Sequence, residues 1–190
     1  MGLTWLPADN QRIIFTYRSG FDVDYEGDFE LAGASAGDFE TTVKYPNTFG
    51  LGYGIQLTDD IQIEALVEWL QWSVNKTQGL EAGLLGALEI ENDWDDTVTV
   101  GVGGSWNISD TLIARAGYAF IQTPIPDATI TPLLPDADRH AISFGLGYAL
   151  GSHVIDVAYT FSIYDDRDST PSGAYDIDSN LVGLTYSLAF

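Results

Sequence analysis

Cysteine is absent from the 190-residue chain, which therefore can form neither a disulfide framework nor a thiolate metal site. Positive charge is scarce, because seven Lys and Arg stand against 28 Asp and Glu and leave a net charge of −21. Such a chain repels the phosphate backbone that supplies most non-specific affinity for nucleic acid, so nucleic acid is excluded as a partner. Long apolar runs are missing too. None approaches the roughly 18 residues of a membrane-spanning helix, which excludes a helical membrane protein.

What the chain does have is period-two alternation, the pattern of a β-strand with two different faces. Between residues 141 and 150, for example, large apolar side chains alternate with small ones. We predict eight complete strands and a partial strand, the stub of an earlier one, at residues 2–6. The eight strands are expected at residues 13–18, 48–57, 61–73, 97–106, 112–120, 141–150, 153–161 and 180–190.

The connections between these strands alternate strictly between tight turns and long loops. The turns lie at residues 7–11, 58–60, 109–111 and 151–152, and the loops at residues 21–43, 75–95, 122–139 and 164–178. This asymmetry is typical of outer-membrane barrels, and aromatic residues near the strand ends suit their interfacial girdles. The sequence therefore predicts an all-β fold, an antiparallel up-and-down transmembrane β-barrel in a Gram-negative-type outer membrane. A soluble β-protein with ordinary core aromatics is the alternative.

Charged residues of the strands fall on the face opposite the apolar one, which in a barrel lines the lumen. They are Arg12, Arg18, Glu64, Glu68, Arg115 and Asp156. Two interpretations stay open. The charges satisfy one another in a wet interior, since buried charges must be paired or hydrated. Alternatively, one of the arginines meets the anionic head group of a substrate, because Arg binds carboxylate bidentately.

The long loops are strongly acidic in their first two members, at residues 21–43 and 75–95. This pattern fits a solvated acidic surface, or loops that bind the divalent cations that bridge lipopolysaccharide molecules. Lipopolysaccharide and outer-membrane lipid are the expected surroundings of such a barrel. Residues 22–33 begin like an EF-hand loop, but the twelfth position is Gly33 in place of Glu. We therefore predict no metal site and no cofactor.

An enzyme is not expected either. Gly-Ala-Ser-Ala-Gly at residues 33–37 matches the nucleophile-elbow pattern, which works only on a strand-to-helix turn of an α/β sheet. His140 and His153 begin successive strands at opposite ends of the predicted barrel, so they cannot share a triad.

The loop segment at residues 80–88 is apolar for an extracellular connection. We expect it to form a short helix, and an apolar outer patch of this kind suits the capture of a greasy ligand. Packing of the loop on itself is the alternative. The residues concerned are Leu80, Leu84, Leu85 and Leu88.

Six short motifs occur along the chain, each of them once. The last residue, Phe190, ends a predicted strand that has apolar residues at alternate positions. The motifs are Phe-Thr-Tyr-Arg-Ser at residues 15–19, Tyr-Glu-Gly-Asp at 25–28, Trp-Leu-Gln-Trp-Ser at 69–73, Asp-Trp-Asp-Asp-Thr at 93–97, Thr-Pro-Ile-Pro-Asp at 123–127 and Leu-Pro-Asp-Ala-Asp-Arg at 134–139. Together they resemble the FadL/TodX family of outer-membrane transporters for long-chain fatty acids and aromatic hydrocarbons. The ending resembles the signal read by the barrel assembly machinery.

The resemblance implies a channel for passive uptake of a hydrophobic small molecule, a fatty acid or an aromatic hydrocarbon. It also implies that residues 1–190 match only the C-terminal segment of the family's barrel, with the N-terminal hatch and the early strands absent. One departure concerns charge. The family is thought to hold the substrate carboxylate with basic residues, yet residues 77–114 contain no Lys or Arg, which favours a neutral substrate. A small structural or adhesive barrel without transport activity is the competing hypothesis.

Overall fold

The computed structural model describes residues 1–188, so the predicted assembly signal at Phe190 lies outside the described residues. Within this range the chain forms fifteen β-strands and two short 3-10 helices at Trp72–Asn75 and Gly83–Leu85. The strands are β1 at Gly2–Ala8, β2 at Gln11–Arg18, β3 at Phe21–Leu31, β4 at Ala34–Tyr45, β5 at Thr48–Gln56, β6 at Ile61–Leu70, β7 at Thr77–Ala82, β8 at Ala87–Glu91, β9 at Thr97–Ser109, β10 at Leu112–Ile121, β11 at Arg139–Leu150, β12 at His153–Tyr164, β13 at Arg167–Thr170, β14 at Gly173–Tyr175 and β15 at Asp178–Leu188.

Nine strands make one antiparallel sheet in the order β1-β2-β5-β6-β9-β10-β11-β12-β15. Each strand of this sheet pairs with the strand of the same sheet that follows it in the sequence, which is the up-and-down topology of a barrel wall. The eight predicted strands and the stub are all present, the stub being β1. The strand predicted at 61–73 ends earlier, at Leu70, because Trp72–Asn75 forms a 3-10 helix, and residues 189–190 of the last one lie outside the described residues. Over residues 1–188 the sheet does not close on itself, because β1 and β15 stand at its two edges.

The long connections all leave from one end of the sheet, here called the upper end, and the short turns lie at the lower end. Three of the four long connections are not irregular loops. The first two fold together into a four-stranded sheet, in the order β3-β4-β7-β8, and the last forms the hairpin of β13 and β14. The third, at residues 122–138, is irregular and contains one isolated bridge between Thr131 and Leu134.

The two faces of the nine-stranded sheet differ as predicted. Val67 of β6 pairs with Leu51 and Val100, so apolar side chains stand side by side on the convex face. The adjacent Leu66 points to the concave face, where its partners on both sides are glycines. Because successive side chains of a strand point to opposite faces, this register places the charged residues of the strands on the concave side.

Few side chains of the sheet are buried, because no second layer within residues 1–188 packs on either face. The apolar face points outward, and the other face lines a concavity. The buried apolar residues lie mainly in the upper connections, where Ile125, Ile130 and Ala137 are 5%, 2% and 2% exposed. Among the described residues no helix is long and apolar enough to cross a bilayer.

Candidate functional site

Two ion pairs lie on the concave face near the lower end of the sheet. Arg12 of β2 pairs with Glu64 of β6, and the Arg115 Nη1 of β10 donates to the Asp156 Oδ1 of β12 at 2.7 Å. Each pair joins strands that are second neighbours in the sheet. Four of the six predicted luminal charges are therefore brought together, as two pairs that partly satisfy themselves.

Glycine in the middle strand makes each of these pairs possible. A Cβ atom at Gly54 of β5 would lie 2.8 Å from the Arg12 Nε, and one at Gly147 of β11 would lie 2.5 Å from the Asp156 Oδ1. A larger residue would displace the charged side chain that crosses it. The paired side chains are between one third and one half exposed, so each pair contributes roughly 0–1 kcal/mol, as surface pairs do.

A concavity of about 670 Å³ occupies the middle of the inner face, here called the lower cavity. Small residues of its wall, among them Gly52 and Gly101, leave the space free, and Leu66 is one of its apolar lining residues. Four of the predicted luminal residues line it: Arg12, Glu64, Glu68 and Arg115. Of the other two, Asp156 acts through its ion pair, and Arg18 ends β2 outside this lining.

A second cavity of about 590 Å³, here called the upper cavity, lies beneath the irregular connection at residues 122–138. Its walls are largely apolar, and the indole rings of Trp72 and Trp94 meet edge to face with centroids 5.4 Å apart. Glu68 lines both cavities, so the two adjoin. The apolar lining consists of Leu70, Trp72, Trp94, Ile121, Pro124, Ile125, Leu134, Pro135 and Ala137.

Sequence reasoning missed one cation of the upper cavity, Arg139. This residue begins β11 and lines the cavity. Its Nη1 donates to the Tyr164 hydroxyl at 3.0 Å, and its guanidinium carbon lies 5.7 Å from the centroid of the Tyr164 ring. The signal is present in the sequence, because Arg139 alternates in register with Ala141 and Ser143 on the small-residue face, and the predicted loop at residues 122–139 extends one residue too far.

The irregular connection is fixed in place over the upper cavity, and we call residues 122–138 the cap. At its start, the Thr123 amide donates to the Asp138 carboxylate at 2.8 Å, and the Thr123 hydroxyl to the Asp136 carboxylate at 2.7 Å. Further along, the Arg167 Nη2 of β13 donates to the Ile125 carbonyl at 2.7 Å. The cap is therefore a folded part of the cavity wall.

The predicted capture segment forms part of the four-stranded upper sheet. Leu80 and Leu88 are direct cross-strand partners. The expected short helix is limited to a 3-10 turn at Gly83–Leu85, between β7 and β8, because a hairpin satisfies the backbone on both sides of it. Leu84 and Leu85 are 82% and 57% exposed at this tip, which keeps apolar surface at the outer end of the molecule.

Lys76 fixes the base of the same hairpin. Its ammonium lies 2.9 Å from an Asp93 carboxylate oxygen and 3.1 Å from one of Asp95. Hydrogen bonds to Asp93 and then Asp95 raise the pKa of Lys76 above its ordinary value. The ammonium thus stays charged throughout the physiological range and ties the hairpin to the segment before β9.

Gly83→Ala is expected to detach the hairpin tip from β4. A Cβ at Gly83 would overlap the Ala36 carbonyl, and its φ is +42°. Gly86→Ala is the matched control, because Gly86 also has a positive φ, +73°, but a Cβ there meets nothing within 4 Å. Backbone strain alone costs Gly86→Ala about 1–3 kcal/mol, because a φ of 73° with a ψ of −161° is a conformation that essentially only glycine adopts. Limited proteolysis of the tip should therefore accelerate more in Gly83→Ala, which adds the overlap with Ala36 to its strain, than in Gly86→Ala; equal rates would contradict the contact.

The two histidines lie at opposite ends of the sheet, each against a tyrosine hydroxyl. His140 Nδ1 is 2.7 Å from the Tyr118 hydroxyl, and His153 Nδ1 is 2.7 Å from that of Tyr186. Over the described part of the chain, no three His, Asp or Glu side chains converge closely enough to hold a metal ion. The nucleophile-like motif at residues 33–37 lies at the turn into β4, within a hairpin.

An antiparallel up-and-down sheet with an apolar outer face, a charged and glycine-rich inner face and all long connections at one end defines the wall of an outer-membrane β-barrel. A family model for the outer membrane protein transport proteins (OMPP1/FadL/TodX) matches residues 1–189. The chain belongs to this family, whose members are outer-membrane proteins of Gram-negative bacteria.

Individual relatives agree with this assignment. An outer membrane protein of Neisseria meningitidis serogroup B is 28% identical over 98% of this chain and 49% of its own length. The long-chain fatty acid transport protein of Salmonella typhi is 22% identical over 100% of this chain and 48% of its own. The crystal structure of a Pseudomonas aeruginosa FadL homologue superposes with a TM-score of 0.79 at 23% identity, covering 97% of this chain and 48% of that one. The chain thus spans about half the length of the relatives it matches.

Proposed function

We propose that this chain contributes to a channel for the passive uptake of hydrophobic compounds, long-chain fatty acids or aromatic hydrocarbons, across the outer membrane. The observation that carries the proposal is the pair of adjoining cavities along the inner face, which meet at Glu68. An apolar upper chamber that opens into a glycine-lined lower one is a route for a molecule. A barrel with a purely structural or adhesive role would not require it.

The proposed path begins on the exposed leucines of the hairpin tip, Leu84 and Leu85, with Leu80 and Leu88 behind them. The molecule then enters the upper cavity, whose apolar lining replaces its contacts with the capture surface. It continues past Glu68 into the lower cavity. No covalent step is involved, and we propose no enzymatic activity.

The ion pairs of the lower cavity have a supporting role in this proposal. Since Arg12 is neutralised by Glu64 and Arg115 by Asp156, neither arginine presents a free positive charge to a passing carboxylate. Substrate selection by charge is therefore assigned to the upper cavity.

Residues 1–190 are proposed as the C-terminal side of a barrel wall that further strands complete, since an unpaired strand edge in lipid is costly. Recognition of Phe190 by the assembly machinery remains part of the proposal.

Gly52→Trp tests the path. Gly52 lines the lower cavity, and a Cβ there meets only ordinary contacts, the nearest being the Ala65 carbonyl at 3.8 Å. The variant should therefore fold and fill the lumen. In the full-length protein, expressed in a strain that lacks its own transporter, we expect uptake of oleate or toluene to fall by about tenfold, the effect of a barrier of ~1.4 kcal/mol.

Gly52→Ala and Val100→Trp are the controls for this experiment. The first adds a side chain too small to occlude the lumen, and the second places the same indole on the convex face, at a residue outside both cavity linings. Both should support uptake at the wild-type rate. Wild-type protein that inserts correctly, shown by heat-modifiable migration in gels, and yet restores no uptake would count against the function itself.

A further inference from the structure

Two opposite charges face each other across the upper cavity. The pairing register runs from Glu68 to Thr99, from Thr99 to Ile121 and from Ile121 to Arg139, so the first and last residues lie in one cross-strand row. Three strand spacings separate them, about 14 Å measured along the sheet. Both side chains line the cavity.

Neither charge has an ionic partner in the described part of the chain, residues 1–188. The ion pairs found there involve Arg12, Lys76, Arg115, His140 and Arg167, and leave Glu68 and Arg139 without an oppositely charged atom within 4.0 Å. Arg139 uses one of its donors on Tyr164 and retains the others. Charges that border an apolar cavity require a partner or water, so both are available to a ligand.

The third ionisable group of this lining, Asp136, is held in place by the cap. Asp136 belongs to the cap, and one of its carboxylate oxygens accepts the hydrogen bond from the Thr123 hydroxyl. The remaining lining between Glu68 and Arg139 is mainly apolar and aromatic, including Trp72 and Trp94. The volume, about 590 Å³, lies within the roughly 300–1,000 Å³ of small-molecule sites.

We propose that the upper cavity binds an amphiphile whose head group carries both a positive and a negative charge, such as an alkyl betaine. The anionic end accepts from the Arg139 guanidinium, which suits a carboxylate bidentately. The cationic end lies toward Glu68, among aromatic rings that also attract quaternary ammonium groups. The alkyl chain covers the apolar wall. The inference rests on the proposed function, because it names a substrate class for the same route.

Three probes with the same dodecyl chain distinguish the head groups: N-dodecyl-N,N-dimethylglycine, laurate and dodecyltrimethylammonium. Each is titrated by calorimetry into the full-length protein, held in micelles of a non-ionic detergent. We expect the zwitterionic probe to bind at least tenfold more tightly than either singly charged probe, a difference of about 1.4 kcal/mol. Equal affinities for all three probes would overturn the proposal.

Two single-charge variants sharpen the test. Glu68→Gln should shift the preference toward laurate, and Arg139→Gln toward dodecyltrimethylammonium, each by about tenfold. Lys44→Gln, a loss of charge outside both cavity linings, should leave the order of the probes unchanged. Heat-modifiable migration verifies that each variant is folded. A shift that is the same for all three probes would show a merely structural effect and would overturn the assignment.

The outcomes separate this inference from the proposed function. Binding in the predicted order without uptake of any hydrophobic compound would refute the transport function and leave the site assigned. Uptake of oleate or toluene by a protein that binds all three probes alike would uphold transport and refute the zwitterion site.

Discussion

Val67→Arg is expected to lower the free energy of unfolding by about 2–4 kcal/mol, the cost of an Arg on the lipid-facing side of a barrel near mid-membrane. Val67 stands between Leu51 and Val100 on the convex face, so both of its immediate cross-strand partners are apolar. The guanidinium would have to leave water for a wholly apolar surface. This prediction tests the assignment of the two faces, on which every other statement about the lumen depends.

Leu66→Arg is the matched control, because it places the same side chain one residue away on the same strand. Leu66 points into the lower cavity, where water and the carboxylates of Glu64 and Glu68 are accessible. We expect a loss well below that of Val67→Arg. Urea unfolding of the full-length protein in phospholipid vesicles measures both variants. A larger loss for Leu66→Arg than for Val67→Arg would mean that the faces are reversed.

The strands of the barrel wall were predictable from sequence because two independent signals agree. Side-chain alternation marks each strand, and the strict change between tight turns and long connections orders them. The upper sheet was missed although its alternation was present. Residues 21–25 alternate between apolar and acidic side chains, but the many acidic residues of this segment favour a solvated loop. The cross-strand pairing of β3 with β4 makes this segment a hairpin, and only the folded chain shows that pairing.

The candidate site was predictable only in part, because charge pairing depends on register. Alternation placed Arg12, Glu64, Arg115 and Asp156 on the inner face. Alternation could not show that each arginine passes over a glycine of the neighbouring strand and pairs with a carboxylate of the strand beyond it. The upper cavity was not predictable at all, since Trp72 and Trp94, near the two ends of one connection, meet the cap, which belongs to another. Arg139 was missed because one residue decides whether it ends a loop or begins a strand.

Arg167→Ala is expected to release the cap from the upper cavity, at a local cost of about 1.5–3 kcal/mol for a hydrogen bond made by a charged group. The Arg167 side chain is 12% exposed. It donates to the Ile125 carbonyl and lies 3.3 Å from a carboxylate oxygen of Asp127, so one guanidinium holds two points of the cap. Its removal leaves both groups without this partner.

Hydrogen exchange measures the release, because the amides of Thr129 and Ile130 are bonded within the cap to the Pro126 carbonyl. Their protection should fall in Arg167→Ala, and Arg167→Lys should restore it poorly, since an ammonium cannot reproduce the planar two-point geometry. Ser172→Ala, which removes a neutral hydrogen bond to the Ile130 carbonyl, should have a smaller effect, about 1 kcal/mol. Unchanged protection in Arg167→Ala would show that the cap is held by its own internal bonds alone. In that case Thr123, which bonds both Asp136 and Asp138, becomes the residue that closes the upper cavity.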